Sequence, residues 1–150
     1  MQYLVSGKEM KLLDQNTSSK FHVPELVLME QAAITFVRRL FFLQKKYHKE
    51  ISNALILCGS GNNGADGLAI ARLLMQDGLT SCVCLCGEAA GHKTTESYQT
   101  QKAICQAYQI RMEEQIPEEK FDLVIDALFG IGLSRNIEGE LAEVIRQANE

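Results

Sequence analysis

The sequence predicts an α/β fold in which a mainly parallel sheet is covered by helices on both faces. Short apolar runs, such as residues 53–58, alternate along the chain with longer segments whose apolar residues recur every three or four positions. Strands and helices that alternate in this way are joined by right-handed crossovers. A glycine-rich segment, residues 59–67, directly follows the first apolar run, as is typical of nucleotide-binding sheets.

The predicted elements follow one another in a simple order. The first is an amphipathic helix over residues 25–43, with Pro24 at a first-turn position. The remaining elements are a strand at 53–58, a helix at 68–76, a strand at 79–86, a helix at 94–109, strands at 110–113 and 121–126, and a helix beginning at 139. We interpret this order as one Rossmann-like, three-layer α/β/α sandwich spanning residues 1–150, with early strands ordered 3-2-1-4.

Composition excludes several classes of function. A net charge of -4 and an isoelectric point near 5.4 argue against a duplex nucleic acid partner, because such proteins usually carry a basic face. No apolar run approaches the roughly 18 residues that a membrane span needs. The first residues lack the basic region, apolar stretch and cleavage site of a secretory signal. We therefore expect a cytoplasmic protein without a nucleic acid or membrane partner.

The five cysteines are predicted to be small buried hydrophobic residues. Cys82, Cys84 and Cys86 alternate along one apolar segment, so their side chains share one face of a strand. That spacing fits neither a zinc site nor a redox pair, and we interpret Cys58 and Cys105 in the same way. Free cysteines of this kind indicate a reducing compartment.

Residues 59–67, which we call the glycine-rich segment, form the first candidate binding site. Their sequence, GSGNNGADG, holds a G-x-G-x-x-G pattern between a predicted strand and helix, where exposed N–H groups favour a phosphate or pyrophosphate. The amides of Asn62 and Asn63 can also bind a hard cation or sugar hydroxyls, and Asp66 can accept from a ribose. The alternative is that the two asparagines only tolerate left-handed backbone angles and that Asp66 caps the helix.

Residues 126–136, which we call the second segment, form the other candidate site. With strands ordered 3-2-1-4, Asp126 ends a strand beside the first one and faces Asn63, where both could bind K⁺ or another hard cation. The alternative is that Asp126 only satisfies nearby backbone N–H groups. Gly130 and Gly132 allow a ligand to approach the backbone, and Ser134 and Arg135 can donate to phosphate, although Arg135 also fits an ordinary surface charge.

Three ordered segments together resemble the YjeF N-terminal domain family. They are VPELVLMEQA at residues 23–32, CGSGNNGADG at 58–67 and VIDALFGIGLS at 124–134, and order and spacing agree from about residue 6 onward. The resemblance implies an NAD(P)HX epimerase, an isomerase that interconverts the R and S forms of hydrated NADH or NADPH. It also implies a dehydratase as pathway partner, fused downstream or separate, and allows a homodimer.

The resemblance further implies a set of site residues. K⁺ would be bound at Asn63 and Asp126. The substrate would be bound by Asn62, Asn63, Gly64, Ala65, Asp66, Gly130, Ile131, Gly132, Leu133, Ser134, Arg135 and Asn136. Ala65 departs from the glycine usual in the family, which affects only local packing or backbone freedom. The resemblance identifies no catalytic residue, and Asp66 and Asp126 are the acids placed in the two segments.

The family domain continues past the last predicted helix to a strand bearing Asp-x-Pro-Ser-Gly, and this motif is not found in the 150 residues. We therefore expect a domain that lacks the family's C-terminal strands, either as a fragment or as a shortened homologue, and with little activity alone. One alternative function is a non-catalytic nucleotide-binding or dimerisation module of the same family. Another is an ordinary NAD-dependent oxidoreductase with Glu88 as the ribose-binding acid.

Overall fold

Four parallel strands form the centre of the described structure. A computed structural model describes residues 4–131, 133 and 136–149. Its strands are β1 (Asn53–Cys58), β2 (Thr80–Cys84), β3 (Arg111–Glu113) and β4 (Leu123–Ala127). They are ordered β3-β2-β1-β4 and every pairing is parallel. The predicted order is confirmed, and Leu57 of β1 is in register with Asp126 of β4.

Helices precede β1, connect β1 to β2 and β2 to β3, and follow β4. They are α1 (Gly7–Phe21), α2 (Glu25–Lys46), α3 (Asn62–Gln76), α4 (Cys86–Ala89), α5 (Glu96–Ala107) and α6 (Glu140–Ala148). The predicted helices lie within a few residues of α2, α5 and α6, whereas α3 begins six residues earlier than position 68 and neither α1 nor α4 was predicted. Within the described ranges, no helix is both long and apolar enough to cross a membrane.

The N-terminal helix α1 is begun by a capping box. The Ser6 hydroxyl accepts from the Glu9 backbone N–H at 3.3 Å, and the Glu9 carboxylate accepts from the Ser6 backbone N–H at 2.7 Å. This reciprocal pairing satisfies two donors that a helix start leaves without partners. The motif Ser6-x-x-Glu9 was the signal by which α1 could have been predicted.

Two apolar cores lie on opposite faces of the sheet, as a three-layer sandwich requires. Ala54, Ile56 and Cys58 of β1 pack against α2, α3 and α5. Leu55 and Leu57 face the other side, with α6. The second core also holds Cys82, Cys84 and Cys86, and all five cysteines are free and buried. The interpretation of the cysteines as buried hydrophobic residues is therefore confirmed.

Candidate functional site

The glycine-rich segment is a short loop followed by the start of α3, which corrects the prediction that all of it forms a loop. Gly61 is the N-cap of α3 in extended backbone conformation, with φ -95° and ψ -165°. Asn62 to Asp66 lie in the first turns of this helix, so Asp66 does not cap it. No side chain caps α3 either. Its first backbone N–H groups are thus directed to the carboxyl edge of β1, where an anion can accept from them.

Glycine is required in this segment mainly by contacts within the protein. A Cβ on Gly59 would lie 2.0 Å from the Leu128 carbonyl oxygen, and one on Gly64 would lie 1.8 Å from the Gly59 carbonyl oxygen. Gly61 differs, because nothing lies within 4 Å of the position that its Cβ would occupy. The open space beside the helix start is therefore at Gly61, and a ligand can approach the backbone there.

Asn63 contacts the second segment. Its side-chain Nδ2 donates to the Phe129 carbonyl oxygen at 3.0 Å, and a Cβ on Gly130 would lie 3.4 Å from the Asn63 Cβ. Because the amide nitrogen is used in this way, the atom that Asn63 can offer to a ligand is its carbonyl oxygen. The two candidate segments are therefore joined through Asn63, as their neighbouring strands predicted.

Asp126 lies at the carboxyl edge with an exposed side chain. Its Oδ1 accepts from the Leu128 backbone N–H at 2.9 Å. One of its two oxygens thus satisfies a backbone donor, as the alternative interpretation of Asp126 predicted. No hydrogen bond joins Asp126 and Asn63 among the described residues. Asp126 on β4 and Asn63 in the first turn of α3 both lie at the carboxyl edge of the sheet, next to the end of β1. In the described structure, no protein group bonds to Oδ2 of Asp126.

Asn62 and Asp66 are one helical turn apart and share a face of α3 that is distinct from that of Asn63. The Asn62 side-chain amide donates to Oε1 of Glu25, the first residue of α2. The pKa of Asp66 is raised from its ordinary value of 3.8 to about 6, first by burial and then by the negative charges of Glu25 and Asp14. This side of the site is thus an acidic corner formed by α1, α2 and α3.

The other predicted substrate-binding residues differ in what they can contact. Gly64 and Ala65 are buried, and the Ala65 methyl belongs to the core beneath α3, so these two residues can meet a ligand only through their backbone. Ile131, Leu133 and Asn136 of the second segment are exposed to solvent. The predicted residues Gly132, Ser134 and Arg135 lie outside the described residues.

Sequence reasoning missed Glu25 and Asp14 as neighbours of the site, and it gave Glu88 a role that its contacts do not favour. Glu88 pairs with Lys102 at 2.6 Å and accepts from the Tyr98 hydroxyl at 3.4 Å, which fixes it to α5. Both contacts use Oε2 and give Glu88 a role in holding α4 against α5, which weakens the oxidoreductase alternative. Within the described residues, no group of three or more His, Cys, Asp or Glu side chains could hold a metal ion.

Comparisons with known proteins show which family the sequence matches. The profile of the family described as "YjeF-related protein N-terminus" matches residues 25–150. The NAD(P)H-hydrate epimerase of Lentilactobacillus buchneri is 39% identical over 150 residues, which cover 99% of this chain and 67% of the relative. That of Limosilactobacillus fermentum is 40% identical over 146 residues, covering 97% and 67%. The chain thus spans about two thirds of the length of these relatives.

A solved structure shows the same fold. The crystal structure of yeast ynu0 superposes with a TM-score of 0.72 and 24% sequence identity, covering 97% of this chain and 67% of the yeast chain. At that identity the likeness concerns the α/β architecture alone. It agrees with the parallel sheet and the two helical layers described above.

Proposed function

The chain belongs to the family of YjeF-related N-terminal domains, and from that membership we propose that it is an NAD(P)H-hydrate epimerase. The reaction is an isomerisation that interconverts the R and S forms of hydrated NADH and NADPH. The relatives named for this activity align with nearly the whole chain. The observation that carries the proposal is the contact of Asn63 with Phe129, which brings the glycine-rich segment and the second segment together beside the open space at Gly61.

In this proposal the start of α3 binds the pyrophosphate of the dinucleotide. The helix has no side-chain cap, so its first N–H groups and the positive end of its dipole are available to an anion. The space beside Gly61 lets phosphate oxygens approach the backbone. The second segment, including the exposed Ile131 and Asn136, then contacts the remainder of the substrate.

We further propose that K⁺ binds between Asn63 and Asp126. The residues fit such an ion, because the bond to Phe129 leaves Asn63 with a carbonyl oxygen to offer and Asp126 has an exposed carboxylate. Oxygen atoms of this kind are the ligands that hard cations prefer. When bound, the ion would balance negative charge of the substrate next to the phosphate-binding backbone.

The cellular context is also a proposal. Five free, buried cysteines favour a reducing compartment, so we place the enzyme in the cytoplasm. A dehydratase that consumes one epimer would act as its pathway partner. The family resemblance also allows a homodimer, and sedimentation of the purified protein tests whether one forms.

Binding of a stable analogue tests the proposed site. Gly61→Val should fold, because the position is open and its φ is ordinary, but the added methyl groups would fill the space proposed for phosphate. Titration calorimetry with NADP⁺ and with ADP-ribose should show loss of binding for Gly61→Val and a smaller loss for Gly61→Ala. Circular dichroism of both variants should match that of the parent. A Gly61→Val variant that binds as tightly as the parent would remove this segment from the site.

A further inference from the structure

Glu25 contacts the glycine-rich segment from outside it. It is the first residue of α2, directly after the N-cap Pro24, and is separated from Asn62 by 37 positions in the sequence. Its Oε1 accepts a hydrogen bond from the Asn62 side-chain amide. A bond between a carboxylate and an amide N–H is charge-assisted and is among the stronger hydrogen bonds in proteins.

This bond determines which end of the Asn62 side chain is available to a ligand. A side-chain amide carries two donors on its nitrogen and an acceptor on its oxygen. A carboxylate can only accept, so Glu25 binds the nitrogen and excludes the flipped orientation, in which two oxygens would face each other. The Asn62 oxygen is thereby directed away from Glu25. Asn62 is itself exposed and follows the open position Gly61.

The same carboxylate acts on a second polar group of this helix face. The pKa of Asp66 is raised to about 6, first by burial and then by the charge of Glu25, with Asp14 of α1 as a smaller contribution. Asp14 therefore provides a comparison, because it contributes negative charge to the corner formed with α1 and has no hydrogen bond to Asn62 in the described structure. A change at Asp14 therefore alters the charge near Asp66 without altering the hydrogen bond to Asn62, so it separates the electrostatic effect of Glu25 from its effect on the position of Asn62.

Building on the proposed function, we propose that Glu25 is a positioning residue whose carboxylate orients the Asn62 amide, so that the Asn62 carbonyl oxygen accepts a hydrogen bond from a ribose hydroxyl of the dinucleotide. The ligand contact is made by Asn62, and Glu25 acts only through it. The glycine-rich segment then offers two kinds of group: backbone N–H donors for phosphate, and the carbonyl oxygens of Asn62 and Asn63 as acceptors.

A double-mutant cycle on the full chain, with ADP-ribose as the ligand, tests this role. Asn62→Ala and Glu25→Ala should each weaken binding roughly three- to tenfold, the range that one hydrogen bond supplies. The double variant should bind no more weakly than Asn62→Ala alone, because Glu25 has nothing left to orient. Glu25→Gln, whose carbonyl oxygen can still accept from Asn62, should restore binding to within about twofold of the parent.

Two controls decide between positioning and general effects. Asp14→Asn removes a charge from the same corner and should leave ADP-ribose affinity near that of the parent. A loss as large as that of Glu25→Ala would show that charge, not orientation, is the cause. Effects of Glu25→Ala and Asn62→Ala that multiply in the double variant would also overturn the proposal, since the residues would then act independently.

A spectroscopic measurement separates failure of this inference from failure of the proposed function. The Asn62 side-chain NH₂ resonances of the ligand-free protein should shift in Glu25→Ala and stay close to their parental positions in Asp14→Asn. If the parent fails to bind ADP-ribose while these resonances behave as expected, the dinucleotide site is wrong and the proposal falls with it. If the parent binds but the resonances do not respond to Glu25→Ala, the positioning role alone is wrong.

Discussion

Asn62 and Asn63 are adjacent in the sequence, yet different parts of the fold hold their side chains. Asn63 donates to Phe129 in the second segment, and Asn62 donates to Glu25 at the start of α2. Sequence patterns predicted both asparagines as polar groups of a binding site because they lie within a glycine-rich turn. They could not predict the partner of Asn62, since an acid in the first turn of a helix is ordinarily explained by the helix dipole.

The cation proposal predicts that ligand affinity depends on K⁺ through Asp126. Titrations of the parent should show that ADP-ribose binds roughly tenfold more tightly in potassium chloride than in tetramethylammonium chloride. The reason is that K⁺, unlike the bulky organic cation, fits between oxygen ligands. Asp126→Ala should remove that difference. Glu118→Ala, which deletes an exposed acid from the loop after β3, should retain it. Equal affinities of the parent protein in the two salts would contradict a bound K⁺.

Asp66 predicts a dependence of stability on pH. Its pKa is higher in the folded protein, about 6, than its ordinary value of 3.8, so the folded state holds this proton more tightly. Protonation of Asp66 therefore adds to the free energy of unfolding. This contribution is fully present below about pH 4 and is lost as the pH rises through 6. Asp66→Asn, which stays uncharged, should therefore gain about 1–2 kcal/mol in unfolding free energy relative to the parent between pH 4 and pH 7, after allowance for solvent screening.

Urea unfolding at several pH values measures this difference. Asp14→Asn is the comparison, because it removes only the smallest of the three causes that raise the Asp66 pKa and should give a smaller gain. A difference between Asp66→Asn and the parent that does not change with pH would show that Asp66 titrates normally in the folded protein.

At the scale of elements, the start of α3 shows where sequence patterns are overridden by packing. Glycine, asparagine and aspartate are unfavourable inside helices, so the pattern predicted a loop up to position 67 and a helix from 68. In the structure the helix begins at Asn62, and its first turn brings Gly64 so close to the Gly59 carbonyl that only glycine fits there. Propensity is a weak guide where two backbone segments are in direct contact.

The contact between α2 and α3 is mainly apolar, but it also includes an ion pair that is partly buried. Arg72 of α3 bonds to Glu30 of α2 at 2.5 Å, and the exposed fractions of their side chains are 10% and 33%. The Arg72 Nε has no hydrogen-bond partner among the described residues, so Glu30 supplies the main compensation for burial of the guanidinium. Glu30→Ala should lower the unfolding free energy by about 2–3 kcal/mol, measured by urea unfolding.

A matched pair of variants distinguishes the buried charge from lost packing. Glu30→Gln retains a hydrogen-bond acceptor and should cost less than Glu30→Ala. Combining Glu30→Leu with Arg72→Met removes both charges and should restore much of the stability, because no uncompensated ion remains. A loss below about 0.5 kcal/mol for Glu30→Ala would place this pair with ordinary surface ion pairs.

At the scale of the whole molecule, strand order could be predicted because parallel strands joined by helices leave few arrangements. That order placed Asp126 beside β1, and the structure agrees. The acidic corner could not be predicted, since it depends on how α1 and α2 pack against α3 across distant parts of the sequence. The roles expected of Gly132, Ser134 and Arg135 stay predictions, because these residues lie outside the described structure.

Interconversion of separated epimers tests the central proposal most directly. Purified R and S forms of hydrated NADPH are incubated separately with the 150-residue chain and with the same chain extended through the next strand of the family domain, and the products are resolved by chromatography. We expect the extended chain to convert each form into a mixture of both well above the enzyme-free rate, because catalysis needs the reacting ring held close to an acid or base. Rates that equal the enzyme-free rate for both chains would contradict an epimerase.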